Sequence, residues 1–167
     1  MRLRALEPED LELLYTIEND RSLWWLGTQT APLSMYHLRD YIAQQQCDIY
    51  KDEQVRFVID VDGTAAGLID LFNFSPQHRR AELGVVLRSD VQGRGIAREA
   101  IGQILDYARD VVSLHQIYAV VPSSNDRSVR MLEAVGFHET AVLQDWINLS
   151  GKYENASFMT LLLGENQ

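Results

Sequence analysis

The chain is poor in cysteine, in proline and in cations. One cysteine, Cys47, stands among 167 residues, so neither an internal disulfide framework nor a multi-cysteine metal site can form. A lone thiol fits a reducing compartment, and a cytoplasmic setting is expected. Cys47 itself is expected as a small buried hydrophobe rather than a nucleophile. His37, His78, His115 and His138 have no metal-ligand spacing, and no metal is expected. Lys and Arg number 15 against 24 Asp and Glu, a formal net charge of −9. Proteins that neutralise nucleic-acid phosphates present a basic face, so a nucleic-acid partner is not expected. No run of about 18 apolar residues occurs, and no membrane span is expected. Met1 to Glu7 contains no apolar h-region, so no signal peptide is read there. There is no repeat and no Gly/Ser/Pro-rich linker. The four prolines, Pro8, Pro32, Pro76 and Pro122, are far apart and read as element boundaries.

What is present is 46% hydrophobic residues over a length that suits one domain with one core, residues 1–167. Arg2 to Leu6 alternates like a strand. Pro8 then suits a helix start with acids Glu7, Glu9 and Asp10 at its positive end, and Leu11, Leu14 and Tyr15 form its apolar face. Ser34 is placed to cap a second helix carrying Leu38, Tyr41 and Ile42. The aromatic cluster Leu23-Trp24-Trp25-Leu26 between them reads as a loop. Val55 to Val61 and Thr64 to Phe72 read as strands joined at Asp62-Gly63, a strong hairpin signal. Ala81 to Leu87 is a strand whose Gly84 suggests a bulge or a close approach. Ile96, Ala97, Ala100, Ile101, Ile104, Leu105 and Ala108 form the stripe of the clearest helix. Gln116 to Val121 is a further strand. Asn125 or Asp126 caps a short helix that Gly136 ends. Phe137 to Ile147 and Tyr153 to Leu163 form a closing hairpin. The order β, α, α, β, β, β, α, β, α, β, β predicts a mixed α/β (α+β) fold, not a doubly wound parallel sheet.

Chemistry concentrates in one unit. Gln92-Gly93-Arg94-Gly95-Ile96-Ala97 joins a strand to a helix. A glycine loop feeding a helix N-terminus offers unpaired N–H groups and about half a positive charge, which suits a phosphate or pyrophosphate. Arg94 and Arg98 add charge of the right sign. A tight turn with no ligand is the alternative. No Gly-x-x-x-x-Gly-Lys-Ser/Thr string occurs, and a dinucleotide fingerprint would want a third glycine where Arg98 stands.

Gln92-x-x-Gly95-x-Ala97 resembles the acetyl-coenzyme A signature of the GNAT N-acetyltransferases. Asn125-x-x-Ser128 followed by Gly136-Phe137, and Arg4-Ala5-Leu6-Glu7-x-Glu9-Asp10-Leu11, resemble two further blocks of that family. His78-Arg79-Arg80-x-Glu82, Leu114-His115-x-x-Tyr118 and Gly151-x-Tyr153-x-Asn155-Ala156 are similar to bacterial spermidine N-acetyltransferases. Ala81-Glu82-Leu83-Gly84 is equally similar to ribosomal-protein N-terminal acetyltransferases.

The resemblance implies a GNAT fold with a central, mostly antiparallel sheet, acetyl-CoA as co-substrate, and an amine acceptor, with a polyamine such as spermidine foremost. A protein N-terminus and a non-catalytic acyl-CoA-binding module are the alternatives. It implies that the backbone of Val85, Val86 and Leu87 pairs with the pantetheine arm, and that Gln92, Gly93, Arg94, Gly95, Ile96 and Ala97 hold the pyrophosphate. Asn125 would bond the pantetheine arm and Ser128 would lie near the thioester. Glu82 is the candidate base, with an ion pair to Arg79, Arg80 or Arg88 as its other reading. The spermidine branch carries a proton-donating tyrosine where this chain has Leu132, so Ser128, Tyr118 or solvent would protonate the thiolate. Trp24 and Trp25 fall where the fold builds its acceptor site, and Glu18, Asp20, Asp52, Glu53 and Asp70 are acids that could attract a polyamine. A homo-oligomer, dimer or larger, follows by the same resemblance.

Overall fold

A computed structural model describes residues 1–27 and 29–164. Seven strands form one sheet: β1 Arg2–Arg4, β2 Val55–Val61, β3 Thr64–Ser75, β4 Arg80–Leu87, β5 Gln116–Pro122, β6 His138–Leu149 and β7 Lys152–Leu162. Their spatial order is β1-β2-β3-β4-β5-β7-β6. Every neighbouring pair is antiparallel except β4 with β5. The helices are α1 Leu11–Glu18, α2 Met35–Gln44, α3 Ile49–Asp52, α4 Ile96–Asp110 and α5 Asp126–Ala134. The mixed, mostly antiparallel architecture expected from the sequence is the one observed.

Strand alternation divides the core between the two faces. Val58 and Leu68 turn to one face and pack with Leu6, Leu14 of α1 and Leu38 of α2. Their neighbours Ile59 and Ile69 turn to the other and pack with Ala100, Ile101 and Ile104 of α4 and Phe137. Ile101 and Ile104 are fully buried, each contributing about 1.5–3 kcal/mol of apolar burial. The Asp62-Gly63 turn has φ of +52° and +83°, as a two-residue hairpin turn with right-handed strand twist requires. Ser34 Oγ accepts the His37 amide at 3.0 Å and starts α2.

Four local expectations change. The aromatic cluster is not a loop but a 3-10 helix, Arg21–Leu26, capped by Asp20 through the Ser22 amide at 2.9 Å. A single helical turn, α3, precedes β2, capped by Asp48; four residues are too few to show a helical period. Gly84 is not at a bulge: it pairs in register with Asp70, and the irregularity lies further along β3, between Phe72 and Ser75. Gly84 instead makes room for a ring, since a Cβ there would lie 3.1 Å from Phe72. Cys47 is exposed, not buried, in a left-handed turn (φ +54°) after α2.

Candidate active site

β4 and β5 run side by side for three residue pairs only: Arg80 with Gln116, Ala81 with Ile117, Glu82 with Tyr118. Beyond that point β4 stays paired to β3 as far as Leu87. β5 stays paired to β7 as far as Pro122. The two strands therefore part while each remains in the sheet. From Leu83 onward the edge of β4 that faces β5 has no strand partner among the described residues, and such an edge accepts an extended, hydrogen-bonding ligand as it would accept another strand.

A cleft of about 1080 Å³ opens where the strands part. Val85, Val86 and Leu87 line one wall and Ala119, Val120 and Val121 the other. α5 closes the inner end with Asn125, Ser128 and Leu132. Leu132 is 3% exposed and offers no proton. Asn125 Oδ1 accepts the Ser128 amide at 3.1 Å as the α5 cap, which leaves its Nδ2 amide group without a protein partner among the described residues.

The glycine loop forms the outer end. Gly93 and Gly95 take φ of +80° and +79°, a region that costs other residues about 1–2 kcal/mol. Gly95 is the N-cap of α4, and the first intrahelical bond runs from the Glu99 amide to the Gly95 carbonyl at 3.1 Å. The amides of Ile96, Ala97 and Arg98 are thus without helical partners at the positive end of a 15-residue helix. Gln92, Gly93, Gly95, Ile96, Ala97 and Arg98 all line the cleft. The Arg94 side chain is exposed and lies outside the cleft wall. Arg127, which the sequence reading passed over, lines the cleft instead and reaches Gln92 Oε1 at 3.4 Å. Its position as the second residue of a helix gave no local signal that it would face a loop 35 residues away.

Glu82 and Tyr118 stand together at the apex, the last pair before the strands part, and neither belongs to the cleft wall. Burial pushes the Glu82 carboxyl above its ordinary range, against hydrogen bonds from Asn73 and Tyr118 that favour the charged form. Asn73 Nδ2 donates to Glu82 Oε2 at 2.8 Å. Burial, and then the charge of Glu82, push the Tyr118 hydroxyl up, and its ring stacks on Phe158 at 5.2 Å. Glu82 forms no ion pair among the described residues. Arg79 donates instead to the Ser113 carbonyl at 2.6 Å, and Arg88 pairs with Asp90 at 2.8 Å.

The first helices cover the remaining side. Leu23, Trp25 and Leu26 line the cleft together with Glu12 and Asp20. Trp24 turns away: its Nε1 donates to the Glu18 carbonyl at 2.9 Å, and Arg21 lies 5.8 Å from its ring. Glu18 and Asp70, expected as free acids, are both held by Arg56 at 2.7 Å in a largely buried triad. They are not open to a cationic ligand. Asp52 accepts the Gln46 amide at 3.0 Å, away from the cleft.

The acetyltransferase (GNAT) domain family matches residues 1–138. The spermidine N(1)-acetyltransferase of Escherichia coli K12 is 29% identical over 164 residues, 96% of this chain and 85% of that protein. A Bacillus subtilis protein, YdaF, named provisionally as a ribosomal N-acetyltransferase, is 28% identical over 167 residues, 98% of this chain and 91% of that one. The Vibrio cholerae spermidine N-acetyltransferase, in a crystal structure with CoA and spermine, superposes with a TM-score of 0.84 at 30% identity, covering 96% of this chain and 94% of that one. A dodecameric structure of the V. cholerae enzyme superposes with a TM-score of 0.81 at 31% identity, covering 96% of this chain and 92% of that one.

Proposed function

The chain belongs to the GNAT acetyltransferase family, and on that premise we propose that it transfers the acetyl group of acetyl-CoA to a primary amine of a polyamine such as spermidine. The observation that carries this reading is the likeness, along nearly the whole chain, to an enzyme solved with CoA and spermine. The cleft fits the cofactor on its own chemistry. The free edge of β4 at Val85 to Leu87 suits the amide-bearing pantetheine arm. The Gln92–Ala97 loop and the α4 amides suit a pyrophosphate, with Arg98 and Arg127 adding charge. Asn125 Nδ2 would donate to the same arm.

Acetyl-CoA supplies a thioester carbonyl for attack. An alkylammonium titrates near 10, so about one amine in a thousand is neutral at pH 7, a cost of about 4 kcal/mol. Glu82 takes the amine proton, through water where the amine stands off from the apex. As the amine nitrogen bonds to the carbonyl carbon, the carbon–sulfur bond breaks and CoA leaves as thiolate. Tyr118 hydrogen-bonds Glu82, so it steadies the base, and Ser128 or water is left to protonate the sulfur. Glu12 and Asp20 at the cleft provide negative charge for a cationic acceptor.

A protein N-terminus is the second reading, favoured by the likeness to YdaF and by Leu132 at the inner end. Steady-state assays with acetyl-CoA and a panel of polyamines and N-terminal peptides separate the two. Polyamine turnover with no peptide turnover is expected; the reverse overturns the polyamine reading. We further propose a single domain over residues 1–167, acting in the cytoplasm as a homo-oligomer. The V. cholerae dodecamer supports the assembly. A monomer by light scattering at micromolar concentration would sink it.

A further inference from the structure

Asn73 sits where regular strand geometry would turn it away from Glu82. Phe72 is the register partner of Glu82, and Ser75 of Arg80. Two residues of β3, Asn73 and Phe74, therefore oppose the single residue Ala81 of β4. Without this bulge, alternation would send the Asn73 side chain to the face opposite Phe72 and Glu82. The extra residue, with Asn73 in the left-handed region at φ +48°, swings the amide back to Glu82 Oε2 at 2.8 Å. Asparagine is the side chain that tolerates this backbone best after glycine while still carrying a donor. Glu82 is thus held from both flanking strands, by Asn73 of β3 and Tyr118 of β5, at the last residue pair before the cleft opens.

We infer that Asn73 is a positioning residue for acetyl transfer, its amide delivered by the β3 bulge to orient the Glu82 carboxylate at the apex of the cleft. This rests on the reading of Glu82 as the base. Burial alone would favour the protonated, inactive acid, and a donated N–H opposes that. The titratable groups facing the site are Tyr118, which bonds Glu82, and Arg80, whose charge acts on Tyr118.

The test uses Asn73→Gly, which removes the donor and keeps the backbone relaxed at positive φ, together with Asn73→Asp and Glu82→Gln. The acceptor is whichever of spermidine and an alanyl-serine peptide gives the higher kcat/KM. The amine's own titration is common to all variants, so any difference between profiles belongs to the protein. In Asn73→Gly the acid limb of kcat/KM moves to higher pH. On that limb activity falls by up to roughly tenfold, the weight of one charge-assisted hydrogen bond. On the alkaline side of that limb it stays near wild type, and KM for acetyl-CoA is unchanged. Asn73→Asp moves the limb further, because a second carboxylate disfavours the charge on Glu82. In protein carrying ¹³C-carboxyl glutamate, the Glu82 titration moves in the same direction. If Glu82→Gln is inactive but Asn73→Gly keeps the wild-type acid limb and Glu82 titration, Asn73 has no positioning role. If Glu82→Gln retains full kcat, the reading of Glu82 as base fails instead.

Discussion

Gly95 shows how one residue type can be demanded by conformation rather than by space. Its φ is +79°, yet a Cβ added there would meet no heavy atom within 4 Å. The glycine is needed for the left-handed N-cap that turns the α4 amides toward the cleft, at a cost to other residues of about 1–2 kcal/mol. A Gly95→Trp protein should therefore fold, with a far-ultraviolet spectrum like wild type, while its indole fills the anion cradle. Isothermal titration with CoA should show binding lost; undiminished affinity would refute the pyrophosphate assignment. At this scale the Gln92–Ala97 motif and the Asn125 cap were legible, because each depends on a few adjacent residues. The Asn73 contact was not, because it depends on a bulge whose register is set by pairing with β4.

Among the elements, the 3-10 helix Arg21–Leu26 forms part of the cleft wall. Its cleft-facing side presents Leu23, Trp25 and Leu26, and its anchor is the Trp24 Nε1 bond to the Glu18 carbonyl. Glu18 is in turn fixed by Arg56, whose guanidinium also holds Asp70 on β3 and lies 5.7 Å from the Tyr41 ring of α2. One cation thus ties the end of α1 to the sheet and to α2. Trp24→Phe keeps the ring and removes one hydrogen bond, worth about 0.5–1.5 kcal/mol. KM for the amine is expected to rise roughly threefold to tenfold, with KM for acetyl-CoA unchanged. Equal changes in both constants would show that the helix does not act on the acceptor side alone. The cluster's hydrophobicity was plain in the sequence. Its helical form was not, since the Asp20 cap and the Glu18 anchor lie outside the aromatic run.

Over the whole molecule, the chain start is clasped to the sheet by charge. Arg4 donates to Asp10 at 2.7 and 2.9 Å and to Asp60 at 2.8 Å. Asp10 and Asp60 are each 4% exposed. The Arg4 bond, with the Gly63 amide, holds Asp60 below the usual carboxylate range. For Asp10, burial pushes upward, but Arg4 and the Glu7 amide outweigh it and the carboxyl is also held low. Carboxyls depressed in the folded state stabilise it fully above their unfolded value of about 3.9 and lose that contribution as pH falls toward their folded values. Thermal melts should accordingly be flat from about pH 7 to about pH 5 and drop at lower pH. Asp10→Asn should lower stability at pH 7 by about 1–2 kcal/mol, since it removes the buried carboxylate that pairs with the partly exposed Arg4 guanidinium. The same change should shallow the acid decline; an acid limb identical to wild type would exclude Asp10 from it.

The sequence by itself determined the features whose physics is local. These are the alternation that splits Val58 from Ile59 between two cores, the Asp62-Gly63 turn, the Ser34 and Asn125 caps, and the glycine loop before α4. Each follows from side-chain period, φ preference or a cap within a few residues, and together they sufficed for the fold class; the family came from the resemblance of the Gln92–Ala97 and Asn125–Ser128 motifs. Tertiary structure decided which groups meet. It parted β4 from β5 after Glu82, while each strand kept its partner on its far side. It consumed Glu18 and Asp70 in the Arg56 triad, across 38 and 14 residues of sequence, and so removed two acids from the acceptor's reach. It brought Arg127 to the glycine loop and Asn73 to Glu82. The charge of −9 could say that a cation would be welcome. Only the paired and unpaired state of each carboxylate, a matter of contacts distant in sequence, says where.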